Sequence, residues 1–493
     1  MHIRIGQELA YEGRQRKSTN PPSEAHPSRA TDVIVPDHVR IEPFAPVFDE
    51  LDGSGHRRSR FIAPATALRV GSADGTGGAA RAAVGPRVKA DRGHVPALDG
   101  IRGVAILVVV LYHLTLWGHV IAPIESLWLW TSMGHVGVDL FFVLSGYLIT
   151  GILYDSRGSS TYLGTFFARR TLRIFPLYFA AVFLFAVLAP YAAPHNPKLH
   201  EIAANQIWLW TYTSNIAVAV KNTWVFSGVN HFWSLAVEEQ FYLVWPFIVL
   251  KLERRTLVRL CFAMAAMAMV FRWLLIAVIP GHDLGTYSLT ICRMDALLLG
   301  AALALEIRGT PGRAPTGPWA TWSRRLAIPA IAAAIFVSFR GVPAEVGTSG
   351  TTPLTDVFTP TLWSIGFAGL VSASLVGRTP VARTMRNSVL RFFGRYSYGL
   401  YVFHYPMHPI FEKLVPIRSF HSVWLGTAVF VAVGLALSTA VAIASFHLFE
   451  NRFLALKSRF RTQKGRLSLE PARAKLFTPS PGPRSEPDAA PAE

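Results

Sequence analysis

The chain contains several runs of apolar residues about as long as a lipid bilayer is thick, and these runs constrain its fold most. A hydrocarbon core of about 30 Å needs roughly 20 helical residues to cross it, whereas buried helices of soluble proteins are usually shorter. The residues are 51% hydrophobic, and the mean hydropathy of +0.33 is too high for a soluble protein of this size. The sequence therefore predicts an all-α polytopic membrane protein.

Hydropathy and the placement of basic residues together predict the topology. About ten transmembrane helices are expected, at residues 98–117, 135–154, 173–193, 231–250, 257–279, 286–306, 326–340, 357–377, 393–414 and 423–447. Arginines follow the second, fourth, sixth and eighth runs, which places those loops and both termini in the cytoplasm. Residues 203–220 are more polar and are expected to be interfacial or re-entrant, and the short run 326–340 is expected to be extended or tilted.

The two ends of the chain differ from its middle in composition. Residues 1–95 are rich in Pro, Gly, Ser, Ala and Arg without a helical or strand period, which predicts a disordered basic tail. Residues 96–450 form the predicted transmembrane domain, and residues 451–493 form a basic, Pro-rich cytoplasmic tail. No secretory signal is expected, because the first residues lack a continuous apolar segment.

The net charge of +18 does not indicate nucleic-acid binding, because Lys and Arg are concentrated in the tails and in alternate loops. Cys261 and Cys292 lie in apolar runs and show neither an extracellular pairing pattern nor the spacing of a zinc site. We therefore expect the lipid bilayer as a partner, and no nucleic acid, no metal and no bound cofactor.

The first apolar run carries ionisable residues that are costly in lipid. Asp99, Arg102 and His113 lie in LDGIRGVAILVVVLYHL. At 100° per residue, the step from Arg102 to His113 is close to three full turns, so the two side chains share a helix face, with His113 roughly 16 Å further along the axis. This separation suits an anion-binding cation near the cytoplasm and a proton-transfer group deeper in the bilayer. The alternatives are a snorkelling anchor for Arg102 and an interhelical hydrogen bond for His113.

Other polar side chains interrupt later runs. They are Asp139 and Ser145 in the second run, His231, Glu238, Glu239 and Gln240 in the fourth, Asp295 in the sixth and His404 in the ninth. An ionisable group within a membrane helix costs at least a few kcal/mol, so these residues together predict a polar cavity enclosed by helices. The alternatives are a structural ion pair for the adjacent carboxylates and interhelical hydrogen bonds for Asp295 and His404.

A cluster of arginines precedes the third apolar run. Arg169, Arg170 and Arg173 lie in FFARRTLRIFPLYF, at the expected cytoplasmic surface. Such a cluster can hold phosphate groups through bidentate hydrogen bonds. Contact with anionic lipid headgroups is the alternative.

These motifs occur in an order that resembles acyltransferase family 3, membrane enzymes that modify bacterial surface glycans and some secondary metabolites. The resemblance covers residues 96–450 and rests on LDGIRG with its Arg–His spacing, GVDLFFVLSGYLI, RRTLRIFPLY, HFWSLAVEEQFYLVWP, RMDALLLG and SYGLYVFHYP. It implies a protein of the inner (plasma) membrane that transfers an acyl group, usually acetyl, from cytoplasmic acyl-CoA. The acceptor would be a hydroxyl of a glycan, glycolipid or glycosylated metabolite. Some relatives carry a fused esterase-like domain after the membrane part, and the tail after residue 455 is expected to be too short for one.

The resemblance also implies roles for individual residues. It makes His113 the catalytic residue and Glu238 the more constrained of the two adjacent carboxylates. It pairs Arg102 with His113 in the first run and places Arg170 and Arg173 on the side of the acyl-CoA donor. We expect all three arginines to bind the phosphates of the donor at the inner surface.

The chemistry of acyl transfer requires a base for the acceptor hydroxyl, and a buried, neutral His113 suits that role. A carboxylate such as Glu238 or Asp139 is expected to fix its tautomer and to stabilise the imidazolium.

Other functions fit part of the pattern. A proton-coupled transporter or flippase would use a proton relay, and the candidates for it are Asp139, Glu238, Asp295 and His404. No inverted repeat or matched pair of broken helices supports this alternative. A serine hydrolase would use Ser145, but LSGYL lacks the GxSxG pattern. A purely structural scaffold is disfavoured, because it does not require ionisable residues in the membrane, where they are energetically costly.

Overall fold

A computed structural model of the chain describes residues 95–116, 133–279, 281, 283–340, 353–377 and 379–460. Helices account for most of these residues, and no β-strand occurs among them. The predicted tail 1–95, apart from Val95, lies outside the described residues, and so does the part of the C-terminal tail after residue 460.

Helices of very different length occupy the first half of the described chain. They are α1 (Pro96–Leu116), α2 (Gly137–Asp155), α3 (Tyr162–Phe183), α4 (Pro197–Ala204), α5 (Gln206–Trp210), α6 (Ser214–Lys221), α7 (Phe232–Lys251) and α8 (Arg254–Val278). α3 continues through a π-helical turn, Leu184–Leu188, to Ala192. Asn196 caps α4 by accepting hydrogen bonds from the backbone N–H groups of Lys198 and Leu199 at 3.1 and 3.4 Å.

The second half alternates long helices with short ones. They are α9 (Asp283–Ser288), α10 (Thr290–Arg308), α11 (Pro318–Arg340), α12 (Pro353–Leu375), α13 (Pro380–Met385), α14 (Ser388–Arg395), α15 (Ser397–Phe403), α16 (His408–Leu414) and α17 (Val423–Ser445). α17 continues through a π-helical turn, Phe446–Glu450, and further short turns to Arg459. Glu306 in α10 accepts hydrogen bonds from the backbone N–H groups of Trp319 and Ala320, both at 2.7 Å, which satisfies free donors at the start of α11.

Eight helical segments of the described chain are long and apolar enough to cross a membrane. They are α1, α2, α3, α8, α10 with the preceding α9, α11, α12 and α17 with its extension. The predicted all-α polytopic membrane fold is therefore confirmed. The short run 326–340 is the later part of α11, a helix of 23 residues, so it is extended as expected.

Two of the predicted spans differ from these eight segments. The run 231–250 coincides with α7, which is continuous but is not one of the eight, since Glu238 and Glu239 lower its hydropathy. The run 393–414 is broken, because α15 ends at Phe403 and α16 begins only at His408. Pro406 explains the break, because proline lacks a backbone N–H and disfavours the helical conformation in the residue before it.

The third span also begins earlier than predicted. α3 starts at Tyr162 rather than near residue 173, so Arg169, Arg170 and Arg173 lie within the helix instead of before it. All three arginines line a pocket beside this helix.

Residues 203–220 contain α5 and α6 rather than one long helix. These helices have 5 and 8 residues, well short of the roughly 20 residues that cross a bilayer. Between them, Tyr212 adopts a φ of 54°, a left-handed conformation that interrupts a helix. The segment therefore does not form a regular span.

Close helix packing explains the glycines of LDGIRG. A Cβ atom at Gly103 would overlap the backbone carbonyl of Leu390 in α14, and one at Gly394 would overlap the carbonyl of Asp99 in α1. Only glycine permits backbones to approach this closely. The contact fixes α1 against α14 and thereby sets the position of Arg102, the neighbour of Gly103.

Two buried ion pairs join helices inside the bundle. Arg272 in α8 donates to Asp295 in α10 at 3.0 Å, and the two side chains are 0% and 1% exposed. Arg272 Nε also donates to the carbonyl of Val357 in α12 at 2.9 Å. Arg293 in α10 pairs with Asp139 in α2, and both side chains are buried. Each pair therefore gives a structural partner to a carboxylate that the sequence assigned to a cavity.

Candidate active site

A basic pocket of about 250 Å³ lies between α3 and the extension of α17. Arg169, Arg170 and Arg173 line it from α3, and Lys457 lines it from the extension. We refer to it as the arginine pocket. Among the described residues, no ion pair joins these cations to a carboxylate. The pocket therefore presents positive charge that suits phosphate or another anion.

A smaller cavity of about 90 Å³, the middle cavity, adjoins the arginine pocket. Its polar lining includes Arg102, Ser145, Glu238 and Tyr242, together with Arg170 and Arg173, which also line the arginine pocket. Glu238 accepts a hydrogen bond from Ser145 Oγ at 2.8 Å and another from Tyr242 OH at 3.1 Å. The carboxylate is thus held by two hydroxyl groups and faces the same space as the arginines.

The largest of these spaces, of about 410 Å³, lies beyond the middle cavity. Its polar lining includes Tyr112, His113, His135, His231, Tyr287 and Tyr405, and we refer to it as the histidine cavity. Val138 and Tyr401 line both this cavity and the middle one, so a single layer of side chains separates the two. Imidazole and phenol groups offer hydrogen bonds to a ligand with several hydroxyl groups.

The first helix runs past these spaces and contributes to two of them. Arg102 lines the middle cavity, and His113 lines the histidine cavity. The rise of an α-helix separates the two residues by roughly 16 Å. Arginine pocket, middle cavity and histidine cavity therefore follow one another along the bundle.

His113 has a histidine neighbour where a carboxylate was expected. Its Nδ1 lies 2.9 Å from the carbonyl oxygen of Val109 and 3.2 Å from Nε2 of His404. The two rings are T-shaped, with centroids 4.9 Å apart. Neither Asp139 nor Glu238 contacts His113 in the described part of the chain, because each is held by other partners.

The break between α15 and α16 places His404 beside His113. His404 directly follows α15 and is 1% exposed. Irregular backbone at membrane depth is tolerated where protein surrounds it or where it lines a cavity. The interruption by Pro406 thus has a consequence for the site, because it ends the helix next to the imidazole pair.

The remaining predicted residues lie outside the hydrogen-bonded core of the site. Gln240 Nε2 donates to the Tyr212 carbonyl and to Asn215 Oδ1, both at 2.9 Å, and so fixes α7 to the segment before and within α6. Glu239 has one buried oxygen without a hydrogen-bond partner among the described residues. Asp99 lies in the first turn of α1, one turn before Arg102.

The structure also bears on the alternative functions. Two members of the predicted proton relay, Asp139 and Asp295, are held in separate ion pairs, while Glu238 and His404 belong to different cavities. Ser145 donates to Glu238 and not to a histidine, which is unlike a serine hydrolase. Among the described residues, no group of three or more His, Cys, Asp or Glu side chains is placed to hold a metal ion.

Two residues near the site, His231 and Lys457, were given no individual role from the sequence. His231, just before α7, is 4% exposed, and neither of its ring nitrogens has a hydrogen-bond partner among the described residues. Its ring centroid lies 5.1 Å from that of His404. Lys457 was assigned to the tail, but it lines the arginine pocket. Both residues are visible in the sequence: His231 is the first residue of HFWSLAVEEQFYLVWP, and Lys457 is one of the basic residues directly after the last span.

Comparison with known families identifies the family of the chain. A family model described as an acyltransferase domain, acyltransferase 3, matches residues 95–447. The chain belongs to the acyltransferase 3 family. The family assignment predicted from the motifs is therefore confirmed, and the match contains the residues of the histidine and middle cavities. Lys457 lies beyond it.

Curated O-acetyltransferases from two bacteria are similar to more than half of the chain. The peptidoglycan O-acetyltransferase OatA of Listeria monocytogenes is 29% identical in an alignment of 341 residues that covers 64% of this chain and 50% of that protein. The O-acetyltransferase OatA of Staphylococcus aureus is 28% identical in an alignment of 340 residues that likewise covers 64% of this chain and 50% of that protein. The chain thus matches about half the length of these relatives. No solved structure matches it significantly.

Proposed function

We propose that this protein transfers an acyl group, in the first instance acetyl, from acyl-CoA to a hydroxyl of a glycan or glycolipid. The observation that carries the proposal is the series of three adjoining spaces. At one end lie cations that form no ion pair with any described residue, and at the other end lies a histidine. A donor with phosphate groups suits the cations, and an acceptor with hydroxyl groups suits the imidazoles. The name of the Listeria relative, a peptidoglycan O-acetyltransferase, favours a cell-wall glycan as the acceptor.

The proposed reaction places the donor across the first two spaces. The phosphates of CoA bind in the arginine pocket, and the thioester arm reaches through the middle cavity, where Arg102 and Glu238 lie. The arm must pass Tyr401, which lines both the middle and the histidine cavities. The acyl carbonyl then meets the acceptor beside His113.

His113 acts as the general base in this proposal. It accepts the proton of the acceptor hydroxyl, whose oxygen attacks the acyl carbonyl, and the C–S bond of the thioester breaks. The proton then passes to the departing thiolate, so the products are an ester and free CoA.

The proposed orientation places the arginine pocket at the cytoplasmic face of the plasma membrane. Arg102 lies near the start of α1 and Lys457 near the end of the described chain, which is consistent with both termini on the side where CoA is available. The histidine cavity would then open towards the outer face.

Reconstituted vesicles provide the direct test of the proposed function. Purified protein is supplied with radiolabelled acetyl-CoA and peptidoglycan fragments on either side of the membrane, and released thiol and labelled glycan are measured. We expect both products to rise in equal amounts only with the two substrates present. Movement of a solute without loss of the thioester would instead identify a transporter and refute the proposal.

An Arg170→Ala variant should bind the donor less tightly. Arg170 lines both the arginine pocket and the middle cavity, and a hydrogen bond to a charged group contributes about 1.5–3 kcal/mol, or roughly 10–100-fold in affinity. We expect a rise of this size in the apparent KM for acetyl-CoA. Arg255→Ala, an exposed arginine of α8 away from all three spaces, is the matched control and should leave KM unchanged. An unchanged KM in Arg170→Ala would contradict the donor assignment.

Lys457→Ala tests whether the extension of α17 contributes to the same site. Lys457 is a single cation of the arginine pocket, so we expect the apparent KM for acetyl-CoA to rise about tenfold, from the loss of one charge-assisted hydrogen bond. Lys251→Ala, at the exposed end of α7, is the control. Equal KM values for the two variants would exclude Lys457 from donor binding.

A further inference from the structure

We infer that His404 is a positioning residue that fixes the tautomer of His113 and so leaves its Nε2 free to accept a proton. This inference rests on the proposed function, in which His113 is the base. The sequence predicted a carboxylate in this role, whereas the inferred partner is the neutral imidazole of His404. His404 itself is buried behind His113 and does not line the histidine cavity.

The hydrogen bond of His404 to the backbone determines where its own proton lies. Its Nδ1 is 2.9 Å from the carbonyl oxygen of Leu400, one helical turn earlier. A carbonyl oxygen can only accept, so Nδ1 carries the proton. In the neutral ring, Nε2 of His404 therefore has a free lone pair and can only accept a hydrogen bond.

The same reasoning then determines the tautomer of His113. Its Nδ1 faces two acceptors, the carbonyl oxygen of Val109 at 2.9 Å and Nε2 of His404 at 3.2 Å. Both contacts are satisfied only if His113 Nδ1 carries a proton that the two acceptors share. The lone pair of the neutral ring is then on Nε2. Both hydrogen bonds of the His113 ring within the described chain are made by Nδ1, and His113 lines the histidine cavity.

The alternative protonation state conflicts with this geometry. A proton on Nε2 of His404 would point at the proton on Nδ1 of His113 across the same short distance, and two donors would face each other. Burial also disfavours a charged His404. The pair is therefore arranged for one state, in which His404 accepts and His113 donates.

This arrangement also serves the charged state that forms during the reaction. When Nε2 of His113 gains the proton of the acceptor hydroxyl, Nδ1 keeps its proton and its hydrogen bond to His404. The bond becomes charge-assisted and therefore stronger. His404 thus helps the transition state more than the ground state, which predicts an effect on kcat rather than on donor binding.

The test compares two replacements of His404 that differ in whether they can accept a hydrogen bond. His404→Leu removes the acceptor, and we expect kcat to fall by about 10–100-fold with the KM for acetyl-CoA unchanged, as for other residues that orient a reacting group. His404→Gln keeps an acceptor oxygen and should recover most of that loss. If the leucine variant does not fold, His404→Ala with added imidazole takes its place, and imidazole should restore the rate.

A second histidine outside the cavities, His447, provides the matched control. His447→Leu removes a histidine that is hydrogen-bonded to Tyr396 outside the cavities, and it should retain the normal rate. Equal losses in His404→Leu and His404→Gln, no rescue by imidazole, or a normal rate in His404→Leu would each overturn the positioning role. The His113→Ala variant in the same assay separates the two proposals. If it is inactive, any of these contrary results refutes only the role of His404. If it is active, His113 is not the base and the proposed mechanism itself is refuted.

Discussion

A His113→Ala variant is expected to lose acyl transfer by about 10²- to 10⁴-fold while remaining folded and inserted in the membrane, because it lacks the proposed general base. His113 lines the largest of the three adjoining spaces, and its ring makes no ion pair in the described chain. The structural loss should be small, since the imidazole is only partly buried and its backbone hydrogen bond is within its own helix. The effect should therefore be on chemistry, measured as labelled acetyl transferred per molecule of protein.

The KM of the His113→Ala variant for acetyl-CoA shows whether His113 acts as a base or binds the donor. Arg102 and Arg170 line the middle cavity, which does not include His113. Arg102 lies roughly 16 Å along α1 from His113 by the helical rise, so the KM for acetyl-CoA should not change. His200→Ala, on the exposed helix α4, is the control for loss of a histidine. Product formation at the normal rate by a well-folded His113→Ala protein would remove this residue from the mechanism.

Helical periodicity was sufficient to predict which residues of α1 face the interior. Arg102 and His113 share a face by the 100° step per residue, and both line spaces of the same series. The prediction succeeded because a helix in lipid has few ways to satisfy an ionisable side chain other than to turn it inwards. Hydropathy alone likewise predicted an all-α membrane fold, since each long run is independent of its neighbours.

The partners of the predicted residues could not be derived in this way. Asp139 pairs with Arg293, which is 154 positions away, and His113 contacts His404 across 291 positions. A single sequence contains no information on which helices become neighbours. The cations of both ion pairs, Arg272 and Arg293, were visible inside apolar runs, and each could have been matched to a carboxylate of similar depth.

The break in the ninth run shows a second limit of hydropathy. A sliding average treats Pro406 as one mildly polar residue, whereas its ring ends the helix at that point. The consequence reaches the site, because the break places His404 against His113. Local backbone chemistry thus determined a contact that average hydropathy could not reveal.

An Asp295→Ala variant should lose stability rather than chemistry. It leaves Arg272 buried without its counter-ion, and breaking one partner of a buried pair costs about 3–5 kcal/mol. The 3.0 Å contact lies between side chains that are 0% and 1% exposed, so water cannot compensate. We expect a marked fall in the apparent Tm in detergent. Asp155→Ala, which breaks partly exposed bridges to Arg308 and Arg313, is the control and should cost about 1 kcal/mol or less.

Removal of both charges distinguishes a structural ion pair from a functional carboxylate. A double variant, Arg272→Met with Asp295→Leu, has no unpaired charge, so it should recover much of the stability lost in Asp295→Ala and should retain acyl transfer. The acyl transfer of this double variant is the decisive measurement, because the histidine and middle cavities do not include either residue. If the double variant were stable but inactive, Asp295 would have to act in the reaction or in proton movement, and the division between supporting ion pairs and reacting cavities would be wrong.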